Sequence, residues 1–120
     1  MARCEVYHAA KKWKDLLPIA ETLLEQLPKL DFVWINRSFA LHELKRTQEA
    51  FDALLPAAGK FPKRWLIRYN LGCYCAQLGR CEEAMHWLQQ AIDRGDKLEI
   101  KAMALSDADF EPLWQAIREI

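Results

Sequence analysis

A step of 34 residues runs through this chain of 120. Pro28 and Pro62 are separated by it, and Asp96 stands one step further on. Cys4, Ser38 and Gly72 share the step, as do Leu16, Ala50 and Ala84. A fixed period of this length marks stacked helical hairpins, since one hairpin cannot bury its apolar face alone. The expected architecture is all-α and forms a single domain over 1–120. It divides into repeats at about 1–28, 31–62 and 64–96, with a capping segment over 97–120.

Each repeat reads as two amphipathic helices. The spacing of Trp34, Ser38 and Leu41 predicts a helix over 31–44, and Ala50, Leu54 and Ala57 predict its partner over 48–58. Gly59 is expected to stop that partner and Pro62 to bar its continuation. The next pair is expected over 64–78 and 82–94, ended by Gly79 and Gly95. Asp15, Glu49 and Glu83 are 34 apart, each in the first turn of a second helix, where negative charge suits the helix dipole. The first repeat is truncated. It is expected to hold a short helix over 2–10 and a second over 12–27, kinked or delayed by Pro18. In the tail, Leu98 to Ala104 predicts a short helix. Asp107 or Asp109 is then the cap of a last helix presenting Phe110, Leu113, Trp114 and Ile117.

Lysine plus arginine and aspartate plus glutamate both number 17, so there is no basic excess of the kind a general nucleic-acid binder carries. No apolar run approaches the ~20 residues needed to span a bilayer. Charged Arg3 and Glu5 stand where a secretory leader needs an apolar core. These features predict a soluble, cytoplasmic protein without a membrane or nucleic-acid partner. Cys4, Cys73, Cys75 and Cys81 are then expected as reduced thiols. Cys75 and Cys81 read as small buried residues, and Cys73 is the expected exposed thiol if it lines a groove.

The pattern resembles the tetratricopeptide repeat, whose signature is Trp-x2-Leu-Gly-x2-Tyr, then Ala-x3-Phe, then Pro. The second repeat offers Trp34, Ser38 and Leu41, then Ala50 and Leu54, then Pro62. The third offers Leu71, Gly72 and Cys75, then Ala84 and Leu88, with Asp96 in place of proline. The first keeps Tyr7, Ala20 and Pro28. The segment from Asp107 to Leu113 is similar to tails that follow such arrays in small bacterial proteins. The resemblance implies a right-handed superhelix of three hairpins with a C-terminal capping helix.

It also implies a concave groove lined by the first helix of each repeat. Carried over by register, that groove takes Phe32, Ile35, Asn36, Phe39 and Glu43 from the second repeat. The third supplies Leu66, Tyr69, Asn70, Cys73 and Gln77, and the first Glu5, His8 and Ala9. Asn36 and Asn70 would hold a ligand's main chain, since an amide both donates and accepts. The stripe Phe32, Ile35 and Phe39 reads either as groove lining or as packing against the preceding repeat. Leu66 and Asn70 stand where a carboxylate-binding clamp needs basic residues, which argues against that subclass.

No catalytic constellation is readable around His8, His42 or His86, and no phosphate loop occurs. Cys73 and Cys75 lie on different helix faces, which is poor metal geometry. The expectation is a non-enzymatic protein-interaction module, an adaptor or small chaperone for a peptide, with no cofactor or metal. The alternative is a self-associating scaffold, joined at an apolar edge near Trp13 and Leu17.

Overall fold

The computed structural model describes the backbone of residues 3–120, with side chains from residue 12 onward. Among the described residues every element is helical: α1 (Arg3–Gln26), α2 (Asp31–Glu43), α3 (Thr47–Lys60), α4 (Trp65–Gln77), α5 (Cys81–Arg94), α6 (Lys97–Ser106), a 3-10 segment (Ala108–Leu113) and α7 (Trp114–Arg118). No helix is long and apolar enough to cross a membrane, among the described residues. The chain divides into two compact units, Met1–Leu54 and Leu55–Ile120, with the boundary inside α3. Helix starts keep the period: Asp31 and Trp65 are 34 apart, as are Thr47 and Cys81.

In the first unit α1 corrects the expectation of two helices, since it runs unbroken from Arg3 to Gln26. Ala9, Ala10, Lys11 and Lys12 are all good helix formers, and no glycine offers a turn among them. Pro18 sits inside the helix without ending it. A proline denies a donor to the carbonyl four residues back, here that of Lys14. Both residues are exposed, so water can reach that carbonyl. The Thr22 hydroxyl donates to the Pro18 carbonyl at 3.0 Å.

A short connection leads into α2, and the Trp34 indole N–H ties it down by donating to the Pro28 carbonyl at 2.9 Å. At the far end of α2, Arg46 N–H bonds the Leu41 carbonyl and Lys45 N–H that of His42, both at 2.9 Å. This double closure is the Schellman motif, and it puts Lys45 in the left-handed region at φ 65°. The His42 ring and the Thr47 hydroxyl, 3.1 Å apart, staple the turn from α2 into α3.

In the second unit α4 ends in the same motif. Arg80 N–H bonds Cys75 and Gly79 N–H bonds Ala76, with Gly79 at φ 78°. Gly72 lets α4 and α5 approach: a Cβ there would lie 3.2 Å from both the Ala84 carbonyl and the Phe110 ring. Ala84, Leu88 and Ala91 are fully buried along α5, as the repeat pattern requires. Gly95 also answers to space. A Cβ there would come within 2.6 Å of Ile100 and 2.9 Å of Trp65.

Two boundaries differ from expectation. Gly59 does not stop α3, which runs on to Lys60 with Pro56 inside it. Nothing crowds Gly59, and its φ is not left-handed, so Pro62 rather than glycine limits the helix. In the tail, Asp96 caps α6 by accepting Glu99 N–H at 2.9 Å. The expected last helix then opens as the 3-10 segment and becomes α-helical only at Trp114. Pro112 disfavours α geometry at Glu111 and has no N–H to give, which accounts for the tighter turns. Phe110, Leu113 and Ile117 are buried, and Trp114 donates its indole N–H to Ala104 at 2.9 Å.

Candidate functional site

The residues expected to line one groove divide between two environments. In the first unit, α1 and α2 leave an apolar cleft of about 300 Å³ between them. Phe32 and Asn36 from α2 line it, opposite Leu16, Ile19 and Leu23 of α1. Lys12, Trp13 and Ala40 line it as well. Phe32 is 50% exposed, Ile19 55% and Leu23 37%, so large apolar side chains meet solvent together here. Their clustering distinguishes them from scattered single exposed leucines, which need no explanation. Ile35, by contrast, is buried at 8%. Phe39 is half-buried with its ring edge-on to Trp13 at 5.2 Å, and Glu43 is half-buried near the end of α2.

In the second unit three of the expected groove residues, Tyr69, Cys73 and Gln77, contact the chain's own tail. The Tyr69 hydroxyl donates to Asp107 Oδ2 at 3.0 Å, and the Cys73 thiol points to the same oxygen at 3.7 Å. The Gln77 amide donates to the Asp109 carbonyl at 2.9 Å. Phe110 packs edge-on to Tyr69 with centroids 5.2 Å apart. Tyr69 and Cys73 are buried, Gln77 is exposed, and Leu66 and Asn70 are half-buried. Thus Cys73 is not the exposed thiol, and the described exposed cysteine is Cys81. Side-chain positions for Glu5, His8 and Ala9 lie outside the described residues.

Electrostatics mark the tail contact as structural. Burial, then the Asp107 and Asp109 carboxylates, push the Cys73 thiol well up. Burial, then Cys73 and Asp107, push Tyr69 up too. Both groups therefore stay protonated and donate into Asp107, whose other oxygen accepts Asp109 N–H at 3.0 Å. Possible ligand atoms of Cys73, Asp107 and Asp109 lie within 4.8 Å of one another. The Asp107 oxygens are engaged by Tyr69, Cys73 and the Asp109 N–H.

The basic stretch around Pro62 is also held from within. Arg68 is buried and donates to Gln90 at 2.9 Å, to the Pro62 carbonyl at 3.1 Å and to the Ala58 carbonyl at 3.2 Å. Burial, then neighbouring Arg94, lower its pKa. Arg94 shares the Pro62 carbonyl at 2.9 Å. The two guanidinium groups thereby fasten the loop after α3 to α5.

Of the expected groove set, then, Phe32 and Asn36 line an open cleft, while Tyr69, Cys73 and Gln77 hold the tail. Of the apolar edge expected near Trp13 and Leu17, Leu17 is buried and Trp13 lines the cleft as part of its α1 wall. The spacing of Leu16, Ala20 and Leu23 finds the apolar face but not how much of it α2 leaves uncovered. No protein-family model matches this sequence, and no curated protein shows significant similarity to it.

Proposed function

We propose that the chain is a non-enzymatic binding module that holds a peptide segment of another protein in the α1–α2 cleft, as an adaptor or small chaperone does. The carrying observation is the joint exposure of Ile19, Leu23 and Phe32 around a concave apolar surface with the Asn36 amide on its wall. Burying three such side chains against a partner yields roughly 1.5–3 kcal/mol each, less the cost of ordering the peptide. That balance suits a micromolar site. On this reading the helices belong to a right-handed array of the tetratricopeptide kind. Support comes from helix starts 34 apart, matching Schellman turns at Lys45 and Gly79, and fully buried small residues at Ser38, Ala50 and Ala84.

A photo-crosslinking residue at position 32 tests the site, with position 98 as control. Leu98 is 80% exposed on α6, and it does not line the cleft. Irradiation in a cytosolic extract should give discrete heterologous adducts from position 32 and none of the same mass from position 98. Identical adducts from both positions would remove the cleft from consideration. An adduct of twice the chain's own mass from position 32 would favour the self-associating scaffold.

A further inference from the structure

The proposed cleft lacks a neighbour that the equivalent faces of the later repeats have. From this we infer the partner's form: an amphipathic α-helix that lies between α1 and α2 with a large apolar side chain seated over Ala20. The inference rests on the cleft being the binding site, and adds what shape of segment it takes.

The 34-residue step makes α1 comparable with α5. Leu16, Ala20 and Leu23 stand one step before Ala50, Leu54 and Ala57, and two before Ala84, Leu88 and Ala91. All six later residues are fully buried. On α5 the cover is a helix. A Cβ on Gly72 of α4 would lie 3.2 Å from the Ala84 carbonyl and 3.5 Å from the Leu88 nitrogen. On α1 the corresponding face is open. Leu16 and Ala20 are half-buried, Leu23 is 37% exposed, and all three line the cleft. Among the described residues no hairpin folds back over this face, because α1 runs unbroken from Arg3 to Gln26.

The α2 wall shows the same deficit. Phe32 and Asn36 are exposed, whereas Leu66 and Asn70, one step further on, are half-buried. A single helix lying between the two walls would cover both. Of the described lining, only Lys12, Trp13 and Asn36 carry polar side-chain atoms. An extended segment would bring many unpaired N–H and C=O groups against such walls, at a desolvation cost. A helix satisfies its own main chain and presents an apolar stripe, as helices bound in grooves do.

The seat follows from the order of small and large residues. Ala20 takes the place that Leu54 and Leu88 hold, and Leu16 the place of Ala50 and Ala84. The exchange leaves room over Ala20 for a large side chain from outside, while Leu16 projects where the later repeats are small.

The test is selection on the full chain from a phage-displayed library of random peptides about 15 residues long, enough for four turns of helix. Synthetic copies of the selected peptides are then titrated against wild type, Ala20→Leu and Leu23→Asp, each first shown by circular dichroism and urea melts to fold. Wild-type protein should enrich apolar residues at i, i+3 or i+4, and i+7, and the peptides should gain helical ellipticity on binding. Ala20→Leu restores the residue of the later repeats and fills the seat, so it should weaken those peptides about tenfold or more. Apolar residues two apart, or no helical gain, would overturn the helix while sparing the cleft. Full affinity for Ala20→Leu with loss on Leu23→Asp would overturn the seat and leave the cleft standing. Full affinity for Leu23→Asp would reject the cleft itself. A wild-type dimer by sedimentation that Leu23→Asp dissolves would make a second copy the occupant and overturn the proposal.

Discussion

At the residue scale, Lys45 and Gly79 solve the same problem with different chemistry. Each follows a helix by one Schellman turn and each has positive φ, 65° for Lys45 and 78° for Gly79. A side chain in that region crowds the following carbonyl, at roughly 1–2 kcal/mol, and glycine escapes this but loses more chain entropy. Lys45→Gly should therefore stabilise the protein by about 0.5–1 kcal/mol, seen as a higher urea midpoint at unchanged slope. A lower midpoint would mean that Lys45 makes an offsetting contact. Glycine at 72 and 95 answers to a different need, the close approach of Ala84, Phe110, Trp65 and Ile100. Sequence reading grouped glycines 59, 79 and 95 as helix stops. Only Gly79 has positive φ, and conformation and crowding are not separable without neighbours in view.

At the element scale, the 3-10 segment and α7 hold their place through Asp107. Its carboxylate gathers the Tyr69 hydroxyl, the Cys73 thiol and the N–H of Asp109. Its carbonyl accepts the Trp114 indole at 3.2 Å. Asp107→Ala removes a cap and strands two donors, which should cost about 1–3 kcal/mol. Loosening of this segment should also open Cys73, 4% exposed in the native protein, to maleimide labelling in native buffer. The Asp107→Ala chain should label at Cys73 at least several-fold faster than wild type, with Cys81 as the internal reference. Equal rates would show that the remaining contacts, among them Phe110, Leu113 and the Gln77 and Trp114 hydrogen bonds, seat the segment without Asp107. The segment Ser106-Asp107-Ala108-Asp109 narrowed the tail's cap to Asp107 or Asp109, and the structure places it at Asp107. Its partners were not legible, because Tyr69 and Asp107 are 38 residues apart and nothing local links them.

Across the whole molecule, folding should be linked to alkaline pH through three groups. Burial, then the neighbouring Glu83 carboxylate, raises the Cys75 thiol to about 11, and Cys73 and Tyr69 are raised as well. Unfolded thiols titrate near 8.5 and tyrosine near 10. Above those values the unfolded chain has released protons that the folded chain retains, so it binds fewer and stability falls as pH rises. The contribution is complete below about pH 8.5 and is lost as pH climbs through the raised folded values. Urea midpoints should fall from pH 8.5 to 11, and less steeply in a Cys73→Ala, Cys75→Ala variant. Parallel curves would assign the alkaline loss to other groups.

Helix type, helix positions to within a few residues and the 34-residue recurrence were all available from the chain alone. They depend on local propensity and on the spacing of apolar residues, which neighbours in sequence carry. The continuity of α1 belonged to that local information as well, in the run Ala9 to Lys12, but the repeat template overrode it. What covers what was decided in three dimensions. Matching register gave Phe32 and Leu66, or Phe39 and Cys73, equal standing as groove residues. Folding brought α1 beside Phe39 and the tail over Cys73, leaving Phe32 on the open surface. Such coverage depends on which distant segments reach a given helix face, and a periodic sequence gives equivalent faces the same local signal.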